Sequence, residues 1–291
     1  MKKIIGFIGT GVMGASIVSH LLGAGYTVNV YSRTKSKADA LLEKGAIWKD
    51  SPKEVAQSSD VIMTMLGYPT DVEDVYFNKS YGITEFAKEG SLLVDLTTST
   101  PSLAKKIYDE GKKKNLHAID APVSGGDVGA KNGTLTIMCG GDEKTFEVCF
   151  PIMQNFGKSI ILQGSAGAGQ HTKMSNQIAI AAGIVGVCEA IRYAESAGLD
   201  PNRVLESISG GAAGSWSLSN YGPRILKGDF APGFYVKHFI KDLRIAIDEA
   251  KHMGLEMPGL VLAEKLYTEL AEAGFEDNGT HTLYKWYLRG A

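Results

Sequence analysis

The chain opens on "IIGFIGTGVMG", and no other stretch constrains the fold as tightly. A short apolar run reads as a strand, Gly9-x-Gly11-x-x-Gly14 follows at once, and a helical pattern begins inside it. A strand that passes through a glycine turn into a helix starts a βαβ unit, and such units build a parallel sheet covered by helices. Gly9 permits the tight turn, Gly11 lets backbone approach a pyrophosphate, and Gly14 lets helix and strand pack closely. The helix N-terminus adds amide N–H groups and the positive end of a dipole. With Thr10, Val12 and Met13 between them, these glycines form the candidate cofactor-binding loop.

The same rhythm continues through the first half of the chain. Strand-like runs fall at Ile4–Ile8, Thr27–Tyr31, Val61–Met65, Leu92–Asp95, His117–Asp120 and Leu135–Cys139, mostly separated by helical stretches. It stops near Gln163, and after "QGSAGAGQ" the pattern is helical to the end. We therefore expect an α/β Rossmann domain over residues 1–163 and an all-α domain over 164–291. In "DLRIAIDEAKHM" the residues Leu243, Ala246, Ile247, Ala250 and Met253 recur at helical spacing. A helix from near Ala168 to about Ser196 is apolar nearly all round, and such a helix is expected to be buried by others. With 291 residues, 44% of them hydrophobic, the chain can support two cores.

A net charge of -2 and short basic runs such as Lys112–Lys114 suggest neither nucleic acid nor a membrane surface as partner. Cys139, Cys149 and Cys188 form no CxxC pair, so disulfides and metal sites are not expected, and a reducing cytoplasm fits. The apolar run after the N-terminal lysines is too short and glycine-broken for a signal peptide. The stretch Ile178–Cys188 falls well short of the roughly 20 residues a membrane span needs.

Three further groups carry chemistry. The second strand runs into Ser32, Arg33 and Thr34, where a site selective for NAD wants a carboxylate on the ribose hydroxyls. Hydroxyls around a guanidinium suit a 2′-phosphate instead, which favours NADP; Arg33 stacking on adenine would serve either cofactor. Ser124, Gly125 and Gly126 lie just past a strand end, where N–H groups and a hydroxyl can hold a small carboxylate; a plain glycine turn is the alternative. In "GAGQHTKMSNQ", Lys173 precedes Asn176 and Gln177 by one helical turn, so all three share a face. A lysine there can move a proton during hydride transfer if partial burial brings its pKa toward working pH, with the two amides orienting it and the substrate hydroxyl.

"GFIGTGVMG", "DLTTSTP", "DAPVSGGDVGAKNGTL", "GAGQHTKMSNQ" and "HFIKDLRIA" together resemble, in order and over essentially the whole chain, the β-hydroxyacid dehydrogenases. That family includes 3-hydroxyisobutyrate dehydrogenases and tartronate, glyoxylate and succinic semialdehyde reductases. The resemblance implies NADP- or NAD-dependent interconversion of a small β-hydroxyacid and its semialdehyde or keto acid, by a Rossmann domain and a helical domain. It implies that Lys173 is catalytic and that Ser124–Gly126 binds the substrate carboxylate. It also implies that Leu66, Gly67 and Thr98 contact the cofactor, and that Lys241 lies at cofactor and substrate. A homo-oligomer, dimer or tetramer, is expected. This chain departs from the family in having Asn176-Gln177 for a usual Asn-Asn pair, Gly67 for a usual proline and Ser32 for the acid of NAD-using members. Trp216, in "GGAAGSW", is a candidate pocket wall. The alternatives are a catalytically silent NADP-binding sensor or interaction protein, and an imine reductase-like enzyme, which typically lacks the lysine.

Overall fold

The computed structural model describes residues 2–289. The chain divides into two compact units, one ending at Lys173 and one beginning at Met174.

The first unit is built on nine strands: β1 (Ile5–Ile8), β2 (Val28–Tyr31), β3 (Ile47–Trp48), β4 (Val61–Thr64), β5 (Leu92–Asp95), β6 (His117–Asp120), β7 (Val123–Ser124), β8 (Leu135–Gly141) and β9 (Gly157–Gly164). They form one sheet in the order β3-β2-β1-β4-β5-β6-β8-β7, with β9 on β8. From β3 to β6 every pairing is parallel. The strand order reverses between β1 and β4, the switch point at which open sheets of this kind bind ligands.

All residues of β1, β4 and β5 are buried, as expected for strands covered on both faces. Alternate side chains enter different cores. Phe7, Met63 and Val94 join Ile17, Val18 and Leu21 of the helix Val12–Gly23, while Ile8, Ile62 and Leu93 join Val72 and Tyr76 on the other face. Each such side chain contributes about 1.5–3 kcal/mol by burial.

Two expectations need correction here. The sheet is not purely parallel: β8 runs antiparallel to β6 and β7, because Val123–Ser124 and Leu135 onward are joined by only a short helix, Gly126–Asn132. The strands β3, β7 and β9 also go beyond the six that the sequence pattern predicts. Two of them are two residues long, and β9 is a largely exposed strand whose apolar residues, Ile160, Ile161 and Leu162, run together without alternation.

The second unit is helical: Pro201–Ser209, Trp216–Leu226, Val236–His252 and Pro258–Leu270 pack with the later part of Ala168–Ser196. Asp200 and Ser215 cap two of these helices with their side chains, and Pro201 and Pro258 occupy first-turn positions that need no N–H. Leu243, Ala246 and Ala250 face the core as the periodicity predicts, whereas Met253 sits at the helix cap and is exposed.

The helix Ala168–Ser196 has the predicted length but is not covered all round. Ile184, Val187, Cys188 and Ile191 are core, while Ser175, Ala179, Ala182, Gly186, Glu189 and Tyr193 recur on an exposed face. By length and composition alone this helix could cross a membrane, a test that the core helix of a globular unit also passes. The division between the two compact units falls inside this helix. Its first turn is held to the sheet through Asp120.

Candidate active site

The turn after β1 lies at the switch point. Gly9 has φ of +104°, and a Cβ there would sit 2.2 Å from the Met65 carbonyl oxygen. A Cβ on Gly14 would lie 1.9 Å from the Gly9 carbonyl oxygen and 2.9 Å from the Phe7 ring. Gly11 differs: it caps the helix Val12–Gly23, and a Cβ on it would meet no protein atom within 4 Å. Packing of the chain does not require glycine at Gly11, but close approach by a pyrophosphate would. Thr10 adds a buried hydroxyl with no hydrogen-bond partner among the described residues. The residues present thus fit a dinucleotide phosphate, with Val12, 60% exposed, and Met13 on the first helical turn.

Ser32, Arg33 and Thr34 follow β2. The Arg33 guanidinium, 79% exposed, donates through Nη1 and Nη2 to the Asp71 carboxylate at 2.9 and 3.4 Å. Asp71 lies in the helix Pro69–Phe77, and no local sequence signal links it to Arg33. An exposed pair of this kind is worth ~0–1 kcal/mol, so a phosphate can compete for the guanidinium.

Leu66 and Gly67 follow β4, and the Leu66 N–H donates to Thr97 Oγ1 at 2.9 Å. Thr98 is held between two clamped neighbours. Gln170 Nε2 donates to the Thr97 carbonyl at 2.7 Å, and the Ser99 N–H donates to Gln170 Oε1 at 3.0 Å. Gln170 is wholly buried. It stands in a motif singled out from sequence, yet a glutamine near a helix start gives no sign of a clamp on a distant loop.

Asp120, at the end of β6, anchors the helix Ala168–Ser196. Its Oδ1 accepts from the Gly167 N–H at 2.7 Å and its Oδ2 from the Gln170 N–H at 2.8 Å. Those are N–H groups that a helix start leaves without intrahelical partners. Burial pushes Asp120 up to about 6, against the N–H bonds that favour its ionised form. Asp95, opposite it in register, is likewise pushed up to about 6 by burial, while Thr64 and Thr97 hydrogen bonds oppose the rise.

With the helix start fixed, Lys173 is carried under the sheet edge. It is 6% exposed, and its Nζ donates to the Val123 carbonyl at 2.9 Å. Val123 leads directly into Ser124, which pairs with Thr136 of β8. Gly125 and Gly126 follow with φ of +127° and +62°. The structure therefore brings the predicted lysine and the predicted carboxylate turn together through one hydrogen bond.

In the helical unit, Asn176 Nδ2 donates to Gln177 Oε1 at 2.8 Å, and Gln177 Nε2 donates to Asp242 Oδ2 at 2.6 Å. Lys241 Nζ lies 3.0 Å from Asp242 Oδ1. Sequence reasoning does not single out Asp242, although a carboxylate beside a predicted site lysine is a signal that could have found it. Trp216 is exposed and meets Tyr221 edge-on at 5.1 Å; Tyr221 in turn stacks on His281 at 4.8 Å.

A sheet of this order, entered through this glycine turn, defines the class of dinucleotide-binding Rossmann proteins. Residues 4–164 match a family model described as the NAD-binding domain of 6-phosphogluconate dehydrogenase. Residues 167–287 match one described as NAD-binding of NADP-dependent 3-hydroxyisobutyrate dehydrogenase. An uncharacterised oxidoreductase of Bacillus subtilis is 61% identical over 289 residues, covering 99% of this chain and 100% of the relative. The 2-hydroxy-3-oxopropionate reductase of Escherichia coli is 37% identical over 270 residues, covering 93% of this chain and 92% of the relative. A solved Mycobacterium tuberculosis 3-hydroxyisobutyrate dehydrogenase with L-serine superposes with a TM-score of 0.91 at 29% identity, over 100% of both chains. The chain belongs to the β-hydroxyacid dehydrogenase family, oxidoreductases acting on CH–OH groups.

Proposed function

We propose that this chain is an NADP-dependent enzyme that interconverts a small β-hydroxyacid and its semialdehyde. The observation that carries the reading is the buried Lys173 Nζ, 2.9 Å from the carbonyl that leads into Ser124–Gly126. The dinucleotide, when bound, supplies or takes the hydride. Gly9–Gly14 would hold its pyrophosphate; Ser32, Arg33 and Thr34 its 2′-phosphate; Leu66, Gly67, Thr98 and Lys241 would contact it further along. Ser124 and the N–H groups of the Gly125–Gly126 turn bind the substrate carboxylate. Lys173 gives its proton to the aldehyde oxygen during reduction and takes it from the hydroxyl during oxidation. Its bond to Val123 holds the ammonium beside the residue that leads into that turn.

The reading includes a homo-oligomer, supported by the exposed face of Ala168–Ser196, on which the small residues Ala179, Ala182 and Gly186 lead to an exposed Tyr193. It also includes a cytoplasmic location, in keeping with three buried cysteines that form no disulfide among the described residues.

The test is a panel of semialdehydes and hydroxyacids, with uncharged analogues, assayed with NADPH and NADH. Turnover is expected with NADPH and carboxylate-bearing substrates. Arg33→Ala should weaken NADPH binding roughly tenfold or more and NADH binding much less, since a charge-assisted hydrogen bond is worth about 1.5–3 kcal/mol. Equal losses for both cofactors would overturn the NADP reading, and no turnover of any substrate would favour a silent NADP-binding protein.

A further inference from the structure

The side chain of Gln177 is spent inside the protein. It is 1% exposed, its Oε1 accepts from Asn176 and its Nε2 donates to Asp242. Asp242 is itself wholly buried beside Lys241. A carboxylate only accepts hydrogen bonds, so it dictates which way round Gln177 lies: NH₂ toward Asp242, oxygen toward Asn176. That orientation dictates the next one, because Asn176 must turn its NH₂ toward Gln177. Polarity runs in one direction, from a fixed charge through two amides.

We propose that Asp242 and Gln177 are positioning residues that set Asn176 to present its carbonyl oxygen, not its NH₂, on the helix face shared with Lys173. The role assigned to Asn176 rests on the hydroxyacid chemistry proposed above. An accepting oxygen there attracts an ammonium or hydroxyl donor, whereas an amide NH₂ would oppose either. A shorter asparagine at 177 places its amide one methylene back from Asp242, so the relay depends on this chain's departure from the paired asparagines.

Gln177→Glu tests the relay through pH. Protonated, the glutamic acid reproduces both bonds, donating to Asp242 and accepting from Asn176. Ionised, it faces Asp242 with like charge and the chain breaks. The variant should stay within a few-fold of wild type in acid, then lose about tenfold or more of kcat along a new alkaline limb, with NADPH affinity unchanged. Adding Asp242→Asn should abolish that limb, because the introduced carboxylate then accepts from both neighbours without needing a proton. A pH-independent loss, or no rescue in the double variant, overturns the proposal.

Side-chain amide hydrogen exchange of the wild type supplies a readout that needs no turnover. Slow exchange at Gln177, and a shifted Asn176 NH₂ resonance in Asp242→Asn, are expected; fast exchange at Gln177 overturns the relay. A wild type that turns over no hydroxyacid but keeps slow exchange would sink the functional reading and leave the relay standing.

Discussion

The turn after β1 and the turn after β7 both leave a strand through glycine and enter a helix, but glycine is required for different reasons. After β1, Gly9 and Gly14 are surrounded: a Cβ on either would lie within 2.2 Å of a backbone oxygen. After β7, the nearest atom to a Cβ on Gly125 is Leu135 Cδ2 at 3.3 Å, the end of a flexible side chain. There the demand at Gly125 comes from φ, +127°, with +62° at the following Gly126; Gly9, with φ of +104°, carries that demand in addition to its packing one. The first turn uses glycine to bring helix onto strand. The second uses it to hold two successive residues at positive φ.

Gly14→Ala should have the largest effect on stability. The clash is with backbone, which cannot rotate away, and overpacking of this kind costs about 1–3 kcal/mol or more. Thermal unfolding should show a lowered Tm, whereas Gly11→Ala should keep the Tm and lose cofactor affinity. Equal Tm for both variants would break the distinction between the packed and the open glycine. Gly125→Ala comes next. Forcing alanine into that conformation costs about 1–3 kcal/mol, and relaxation of the turn should raise KM for the carboxylate substrate about tenfold with NADPH affinity nearly constant. A matched loss of cofactor affinity would mean that the second turn is not specific to substrate.

How much of this was legible follows the range of each interaction. The Gly9–Gly14 loop and the grouping of Lys173, Asn176 and Gln177 are local patterns, visible within a few residues. The direction of β8 was not, because an apolar run carries no sign of whether its neighbour is parallel or antiparallel. Nor were the partners that decide what the site residues do. Asp120 reaches the helix start from 47 residues away, and Gln177 meets Asp242 across 65. Arg33 reads as a phosphate ligand from its neighbours, yet its bond to Asp71 needs the fold. Even Gln177, which reads from sequence as a substrate-facing amide, is buried and held on both ends by protein.

Asp120→Asn should have a pH-dependent effect on stability. Burial raises the folded-state pKa from 3.8 to about 6, so the folded state binds this proton more tightly than the unfolded chain does. The stability it contributes is full below about 3.8 and is lost as pH rises through about 6. Asparagine does not titrate and sets an NH₂ against one of the two N–H groups that Asp120 faces, a loss of about 1–3 kcal/mol. The stability gap between wild type and variant should therefore be wider at pH 5 than at pH 7.5, as read by denaturant unfolding. A gap that widens toward alkaline pH would reverse the assigned sign.

In the proposed mechanism the second turn and Lys173 act together, the turn holding the carboxylate and the lysine passing the proton. Lys173→Ala, assayed for kcat across pH with folding and NADPH binding confirmed, tests it most directly. A fall of roughly 10²–10⁴-fold is expected, the usual contribution of a positioned acid–base group. Loss of one limb of the pH profile is also expected, with no rescue by Lys173→Arg, since a guanidinium keeps its proton throughout the working range. Near-wild-type turnover in the alanine variant, with the pH profile unchanged, would contradict it.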